Sequence, residues 1–350
     1  MSELKKIAVI GHFGFGEELG NGQTVKTKNF TNELKKRYGG DNVLEIDSSG
    51  GKLAAVKAPF QVLKALKKCK NVIIFPAHNG VRVYAPLLCF FRRFFKERKI
   101  HYSIVGGWLA DFLSDKPRLE KKLKTFDGLY AETTGLKSKL EEKGFKNVYL
   151  VPNFKSLCPV DRSELIYTTE KPFRFCTFSR VMKEKGIEDA VAAVNSVNEI
   201  CDKTICELDI YGQIENGEEE WFENLRKTFS EHIKYKGVVS YDKSVEVLKP
   251  YFALLFPTRF YTEGIPGTII DAYAAGVPVI SSEWENTADI IADGKTGYVF
   301  PMGDVEKFTE ILRDICGDPD KINALKENAL KRVNDFLPEA VLPAMENNLG

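Results

Sequence analysis

The chain of 350 residues offers little for binding a metal, for disulfides or for spanning a membrane. Its four histidines, at positions 12, 78, 101 and 232, show no HxxxH spacing and have no cysteine pair beside them. Zinc centres are built from such clusters, so no metal site is expected. Seven cysteines (69, 89, 158, 176, 201, 206 and 316) are scattered without a CxxC. They read as buried thiols in a reducing cytosol, not as a disulfide framework. No uncharged apolar run approaches the ~20 residues that a spanning helix requires. The opening residues have neither a long apolar core nor a small-residue cleavage site, so no secretory signal is read there. Tandem repeats and low-complexity stretches are absent as well. These absences point to a cytoplasmic protein.

What is present is ordinary in amount and uneven in placement. Hydrophobic residues make up 43% and charged residues 28%, the composition of a globular protein. The length exceeds one usual core, which predicts two domains. Net charge is +1, yet residues 1–160 hold 29 Lys and Arg against 15 Asp and Glu. The remainder is correspondingly acidic, so the first half is expected to face something anionic. No nucleic-acid-binding motif is found, which favours an anionic membrane surface. Residues 83–99, VYAPLLCFFRRFFKERK, read as an aromatic and basic helix. Phe90, Phe91, Phe94 and Phe95 stand beside Arg92, Arg93, Lys96, Arg98 and Lys99. A phenylalanine pair can enter a membrane interface while the cations meet lipid phosphates. A core-packed helix with a solvated basic face accounts for the aromatics at least as well, while the charge of the whole half speaks for the cations.

Short apolar runs alternate with helical patterns throughout, which predicts an α/β fold with parallel sheets. Strands are expected at 5–13, 42–47, 71–77, 127–132 and 147–153, with another opening at 100. After a linker near 154–170, further strands are expected at 172–180, 205–212, 233–239, 252–258 and 278–282. Residues 304–316 and 319–334 read as helices, and Asp318-Pro319-Asp320 reads as a helix cap, not a metal motif.

The most informative stretch is 252–282. FALLFPT is long enough for a strand and too short for a helix. A turn follows, then a helix starting near Pro266, a residue suited to a first helical turn, with Gly276 as its C-terminal cap. Such a strand–loop–helix unit presents its loop at the carboxyl edge of the sheet, where open α/β folds bind ligands. Glu263 and Asp271, eight apart, flank the helix start. Two carboxylates there can grip ligand hydroxyls while the free amides hold an anion. Residues 11–22 form a glycine-rich loop between strand and helix, with Gly14, Gly16, Gly20 and Gly22; its spacing is not the dinucleotide fingerprint. His78 and Asn79 sit at the end of another strand, where a turn role and an acceptor contact are equally readable.

The string Glu263-Gly264-Ile265-Pro266, Asp271 and Gly276-Val277-Pro278-Val279-Ile280 resembles the donor-binding signature of retaining family 4 glycosyltransferases. Arg180, Lys185 and Gly186 resemble a second motif of that family, and Asp271 departs from its usual Glu. The resemblance is good over 172–334 and thinner over 1–160. It implies the GT-B architecture: two Rossmann-like domains facing across a cleft. Residues 1–158 would bind the acceptor and residues 159–335 the donor, with 336–350 returning as a helix to the first domain. It implies a retaining, metal-independent glycosyltransferase that needs no cofactor. The donor would be a UDP- or GDP-linked sugar, and the acceptor a saccharide or lipid-linked saccharide of envelope polysaccharide synthesis. The family assigns Arg180 and Lys185 to the donor diphosphate. Glu263 would hold the sugar and Asp271 the ribose, with Gly264, Ile265, Pro266, Gly267 and Thr268 lining the donor. The glycine loop would border the cleft. Many members carry a histidine near 106–108; this chain has glycines there, which leaves Trp108 and Asp111 as acceptor-side candidates. Two alternatives stay open: a catalytically silent sugar-nucleotide-binding protein of this fold, and a sugar-nucleotide epimerase.

Overall fold

A computed structural model describes residues 5–14 and 22–349. The chain divides into two compact units: residues up to Ser156 together with those from Pro338 onward, and Leu157–Leu337. Each unit is built on one six-stranded, all-parallel sheet.

In the first unit the strands are β1 (Lys5–Gly11), β2 (Val43–Asp47), β3 (Cys69–Ile74), β4 (Lys99–Ser103), β5 (Gly128–Ala131) and β6 (Val148–Leu150). Their order across the sheet is β2-β1-β3-β4-β5-β6. Ile7–Ile10 and Val72–Ile74 are buried throughout, as strands covered on both faces by helices must be. The helices Gly22–Tyr38, Gly51–Lys68 and His78–Arg92 connect the first four strands. Two short helices, Pro338–Val341 and Pro343–Leu349, complete this unit and bury Leu342 and Met345 in its core.

The second unit has β7 (Phe173–Phe178), β8 (Cys206–Tyr211), β9 (Ile233–Gly237), β10 (Ala253–Phe256), β11 (Val279–Ser282) and β12 (Gly297–Phe300), in the order β12-β11-β10-β7-β8-β9.

Three expectations are corrected. The helix expected over 83–99 begins earlier, at His78, and ends at Arg92, with Lys99 already in β4. It stops because Phe94, Phe95 and Arg98 close i→i−3 turns, while Arg92 is drawn to Thr125 O and Asp127, both at 2.9 Å. Arg98 bonds Leu66 O and Lys99 bonds Asn348 O, so three of the five cations expected on a lipid face are tied to their own fold. The helix expected over 319–334 is broken into Asp320–Asn323 and Lys326–Arg332. Asn323 uses its side chain to accept from Thr168 N and donate to Thr168 O, fixing the loop that crosses there. The helix Asp320–Asn323 starts without any side-chain cap bond, so Asp318 does not act as the expected cap.

Candidate functional site

β7 and β10 are neighbours, but the chain leaves β7 towards β8 and leaves β10 towards β11. Loops that part in opposite directions open a crevice at the carboxyl ends of the strands, the usual ligand position in such sheets. The loop after β7 carries Arg180, Lys185 and Gly186, and the loop after β10 carries Thr258, Arg259 and Glu263.

The two loops are locked together. Lys185 Nζ is ion-paired to Glu263 Oε1, and both side chains are largely buried. Thr258 Oγ1 donates to the same oxygen at 3.3 Å. The rings of Phe256 and Phe260 lie 5.4 and 5.1 Å from the ammonium, a cation–π setting that holds charge in a small dry space. Gly186 explains the Lys-Gly pair physically: its φ is 65°, and a Cβ there would fall 1.9 Å from Pro257 O. Only glycine lets the loops approach this closely.

Arg259 adds a second lock that sequence reasoning missed. Its backbone N–H donates to Glu184 O at 2.7 Å. Its guanidinium forks onto the buried Asp189 at 2.6 and 3.1 Å, at the start of helix Ile187–Cys201. The pairing raises the Arg259 pKa further. In the sequence Asp189 is merely an acid in a first helical turn, which the dipole favours anywhere, so nothing local marked it.

The other expected residues are placed as follows. Arg180 bonds Glu215, in the loop after β8, at 2.6 Å. Pro266 precedes helix Gly267–Ala274, whose first amides receive no side-chain cap. Gly264 and Ile265 are buried in the loop, and Thr268 Oγ1 is enclosed with no hydrogen-bond partner. Asp271 is buried and accepts from Ser244 Oγ at 3.0 Å. Glu263 thus precedes the helix start, held by Lys185, and Asp271 lies within the helix, held by Ser244.

The first unit has its own switch point, between β1 and β3. A cavity of about 630 Å³ lies there, lined by His12, Gln23, Ser48, Ser49, His78 and Asn79 among others. His78 stacks on Trp108 with centroids 3.7 Å apart, and Phe112 meets the imidazole edge-on at 5.1 Å. Burial, then the charges of Arg82 and Lys116, lowers the His78 pKa, favouring a neutral ring. Asp111 is separate, mostly exposed and 3.7 Å from Lys139. Gly14 has φ 60°, Gly22 opens its helix, and Gly16 and Gly20 lie outside the described residues. His12, whose Nδ1 is 2.7 Å from Thr24 Oγ1, was passed over as a ligand-facing residue. So was a buried ion pair, Lys26–Glu132; Lys26 also bonds Ile104 O, and Glu132 accepts from Gly106 N at 2.9 Å. Among the described residues no three His, Cys, Asp or Glu side chains gather as a metal site would require.

Comparison with known proteins places this geometry. Residues 165–332 match the family model described as glycosyl transferases group 1. The lipopolysaccharide core biosynthesis glycosyltransferase LpsE of Rhizobium meliloti (strain 1021) is 24% identical over 250 residues, 68% of each chain. Among solved structures, Anabaena Alr3699/HepE in complex with UDP-glucose superposes with TM-score 0.74 at 13% identity over 98% of both chains. The lipopolysaccharide outer core galactosyltransferase WaaB, in its apo form, gives TM-score 0.69 at 18% identity over 98% of both. At these identities the structural likeness is one of fold, the GT-B glycosyltransferase fold of two parallel α/β units.

Proposed function

The chain is a glycosyltransferase whose residues 165–332 match the glycosyl transferases of group 1; on that premise we propose a retaining, metal-independent transfer from a nucleoside-diphosphate sugar to a saccharide acceptor. LpsE and WaaB act in lipopolysaccharide core synthesis by their names, which supports an envelope polysaccharide and a lipid-linked acceptor for this chain. HepE has been captured with UDP-glucose, which supports a nucleotide-sugar donor here, with UDP or GDP as the carrier.

The observation that carries the reading is the Lys185–Glu263 pair at the switch point, with Arg180 on the same loop. Without ligand the two side chains neutralise one another. An entering donor exchanges partners: its diphosphate takes Lys185 and Arg180, and its sugar hydroxyls take Glu263. The bond between the anomeric carbon and the β-phosphate oxygen then breaks. An acceptor hydroxyl forms the new bond on the same face of the sugar, and its proton leaves to the departing phosphate or to solvent. Negative charge grows on the β-phosphate as that bond breaks, and preorganised cations stabilise it most when water is excluded. The uncapped amides of helix Gly267–Ala274 add to this. Asp271, held by Ser244, is the group for the ribose. The first unit takes the acceptor at the His78–Trp108 platform and the cavity beside it, and its basic surface faces an anionic membrane on the cytoplasmic side. None of these roles asks for a cofactor or a nucleic acid.

A thermal-shift panel of nucleoside diphosphates and their sugars, followed by donor hydrolysis with and without EDTA, tests this. A saturating donor is expected to raise the melting temperature, and turnover is expected to persist in EDTA. Turnover that vanishes with EDTA and returns with magnesium or manganese overturns the metal-independent mechanism. Stabilisation by no nucleotide overturns the donor assignment.

A further inference from the structure

The first unit carries two more cavities, of about 510 and 480 Å³, between helix His78–Arg92 and helix Pro117–Leu123. Their linings do not overlap that of the cavity at the β1/β3 switch point. Arg118 and Lys122 line both; Arg82 and Lys116 complete the charged wall of the first, and Arg93, Lys121 and Arg92, itself paired to Asp127, that of the second. The carboxylate in the first lining, Asp115, is already paired to Lys116, and the second lining has none. Arg93, Arg118, Lys121 and Lys122 have no carboxylate partner among the described residues. Four unpaired cations around two adjoining hollows repel one another unless something anionic enters.

Beside them stand two phenylalanines that the core does not use. Phe90 is 51% exposed and Phe94 72%, their rings 6.1 Å apart. Phe90 lies one turn beyond Pro86, which lines the first cavity. A free phosphate or a nucleic acid backbone satisfies the cations and leaves these rings in water. A bilayer of anionic phospholipid satisfies both, because cations reach the phosphate level while aromatic rings enter the interface below it.

We propose that the paired cavities are a headgroup site for anionic phospholipid, with Phe90 and Phe94 as the inserted rings. The inference rests on the membrane-facing reading above and gives it a location that keeps Phe90, Arg93 and Phe94 of the basic run and adds Arg118, Lys121 and Lys122 from another helix. The site orients the first unit on the leaflet through helices His78–Arg92 and Pro117–Leu123, not through Arg98 or Lys99.

Flotation of the full chain with phosphatidylglycerol vesicles, against phosphatidylcholine vesicles, at low and high salt, tests it. Wild type is expected to float with phosphatidylglycerol at low salt and to be released at high salt. The R118Q/K121Q/K122Q variant removes three cations and is expected to lose about a hundredfold in vesicle partition. F90S/F94S is expected to weaken binding at low salt. The substituted side chains are surface groups, and unchanged thermal melts confirm the fold. Wild-type partition by the triple variant overturns the site while leaving membrane attachment standing. No flotation of wild type at low salt overturns both, without touching the donor assignment, which the nucleotide thermal shifts read separately. Full competition by inorganic phosphate at constant ionic strength, with F90S/F94S binding as wild type, makes this a free-anion site and overturns the lipid.

Discussion

At the switch point of the second sheet the loops after β7 and β10 meet through charge, Lys185 on Glu263 and Arg259 on Asp189, while Arg180 pairs with Glu215 of the loop after β8. At the switch point of the first sheet, the cavity wall sets imidazole, hydroxyl and amide groups among apolar ones such as Ala55, Pro76 and Val83, with His78 stacked on Trp108. Two sheets of closely similar wiring therefore present different chemistry at equivalent places. A ligand that carries a diphosphate needs opposing charge in fixed positions, and ion pairs that can be exchanged for ligand bonds provide it. A ligand made of neutral rings and hydroxyls needs flat apolar faces with polar groups at the edges. The difference supports the proposed division of a two-substrate transfer between the two halves.

The largest expected effect breaks the charged half. Lys185→Ala should lower turnover by ~10²–10³, the usual cost of one preorganised stabiliser, and should also lower the melting temperature because the largely buried Glu263 loses its partner. Steady-state kinetics with a saturating donor reads it; wild-type turnover would move the chemistry away from this crevice. Next comes pH, which should act on the first sheet. His101 is buried between Tyr130 and Asn71, at 2.9 and 3.3 Å, and burial pushes its pKa down to about 4. The unfolded chain takes up a proton near pH 6.5 that the folded chain refuses until about pH 4. Stability from this group is full above pH 6.5 and lost as pH falls through that window, roughly 3 kcal/mol in all. Hydrogen exchange at pH 7 and pH 5 should show protection in β3–β5 falling more than in β7–β11, and His101→Asn should shrink that difference. The smallest effect sharpens the neutral half. Trp108→Ala removes the face on which His78 lies, an interaction of ~0.5–1.5 kcal/mol. The acceptor KM should rise about two- to tenfold while donor hydrolysis stays as in wild type; a donor KM that rises equally would undo the division of labour.

Much of this architecture is legible without coordinates, because parallel strands covered on both faces must be short apolar runs. IAVI, NVII and ALLF announce β1, β3 and β10 directly. The loop motifs are legible for a related reason: Gly186 and Gly276 stand where φ is positive and neighbours press close. What the sequence hides is pairing between distant positions. Nothing near Lys26 announces Glu132, and nothing near Arg259 announces Asp189. Such partners are chosen by the way the sheet stacks its loops. The basic helix was misjudged for the same reason. Its composition pointed to charge on a surface, but Arg92, Arg98 and Lys99 are spent on carbonyls and a carboxylate. Arg118, Lys121 and Lys122, a helix away, complete the exposed patch.

The return of the chain to the first unit bears on how the molecule is made. Leu342, Met345 and Leu349 fill that unit's core, Asn71 donates to Leu349 O, and Arg37 grips Glu346. Synthesis proceeds from the amino end, and domains fold as they emerge. The second unit is continuous and has all its strands once β12 has left the ribosome. The first, though begun earlier, keeps an open seam beside β1 and β3 until the last residues arrive. The half that starts first is therefore completed last, and a truncation after residue 337 would spare the later-made half while leaving the earlier one with its apolar seam unfilled.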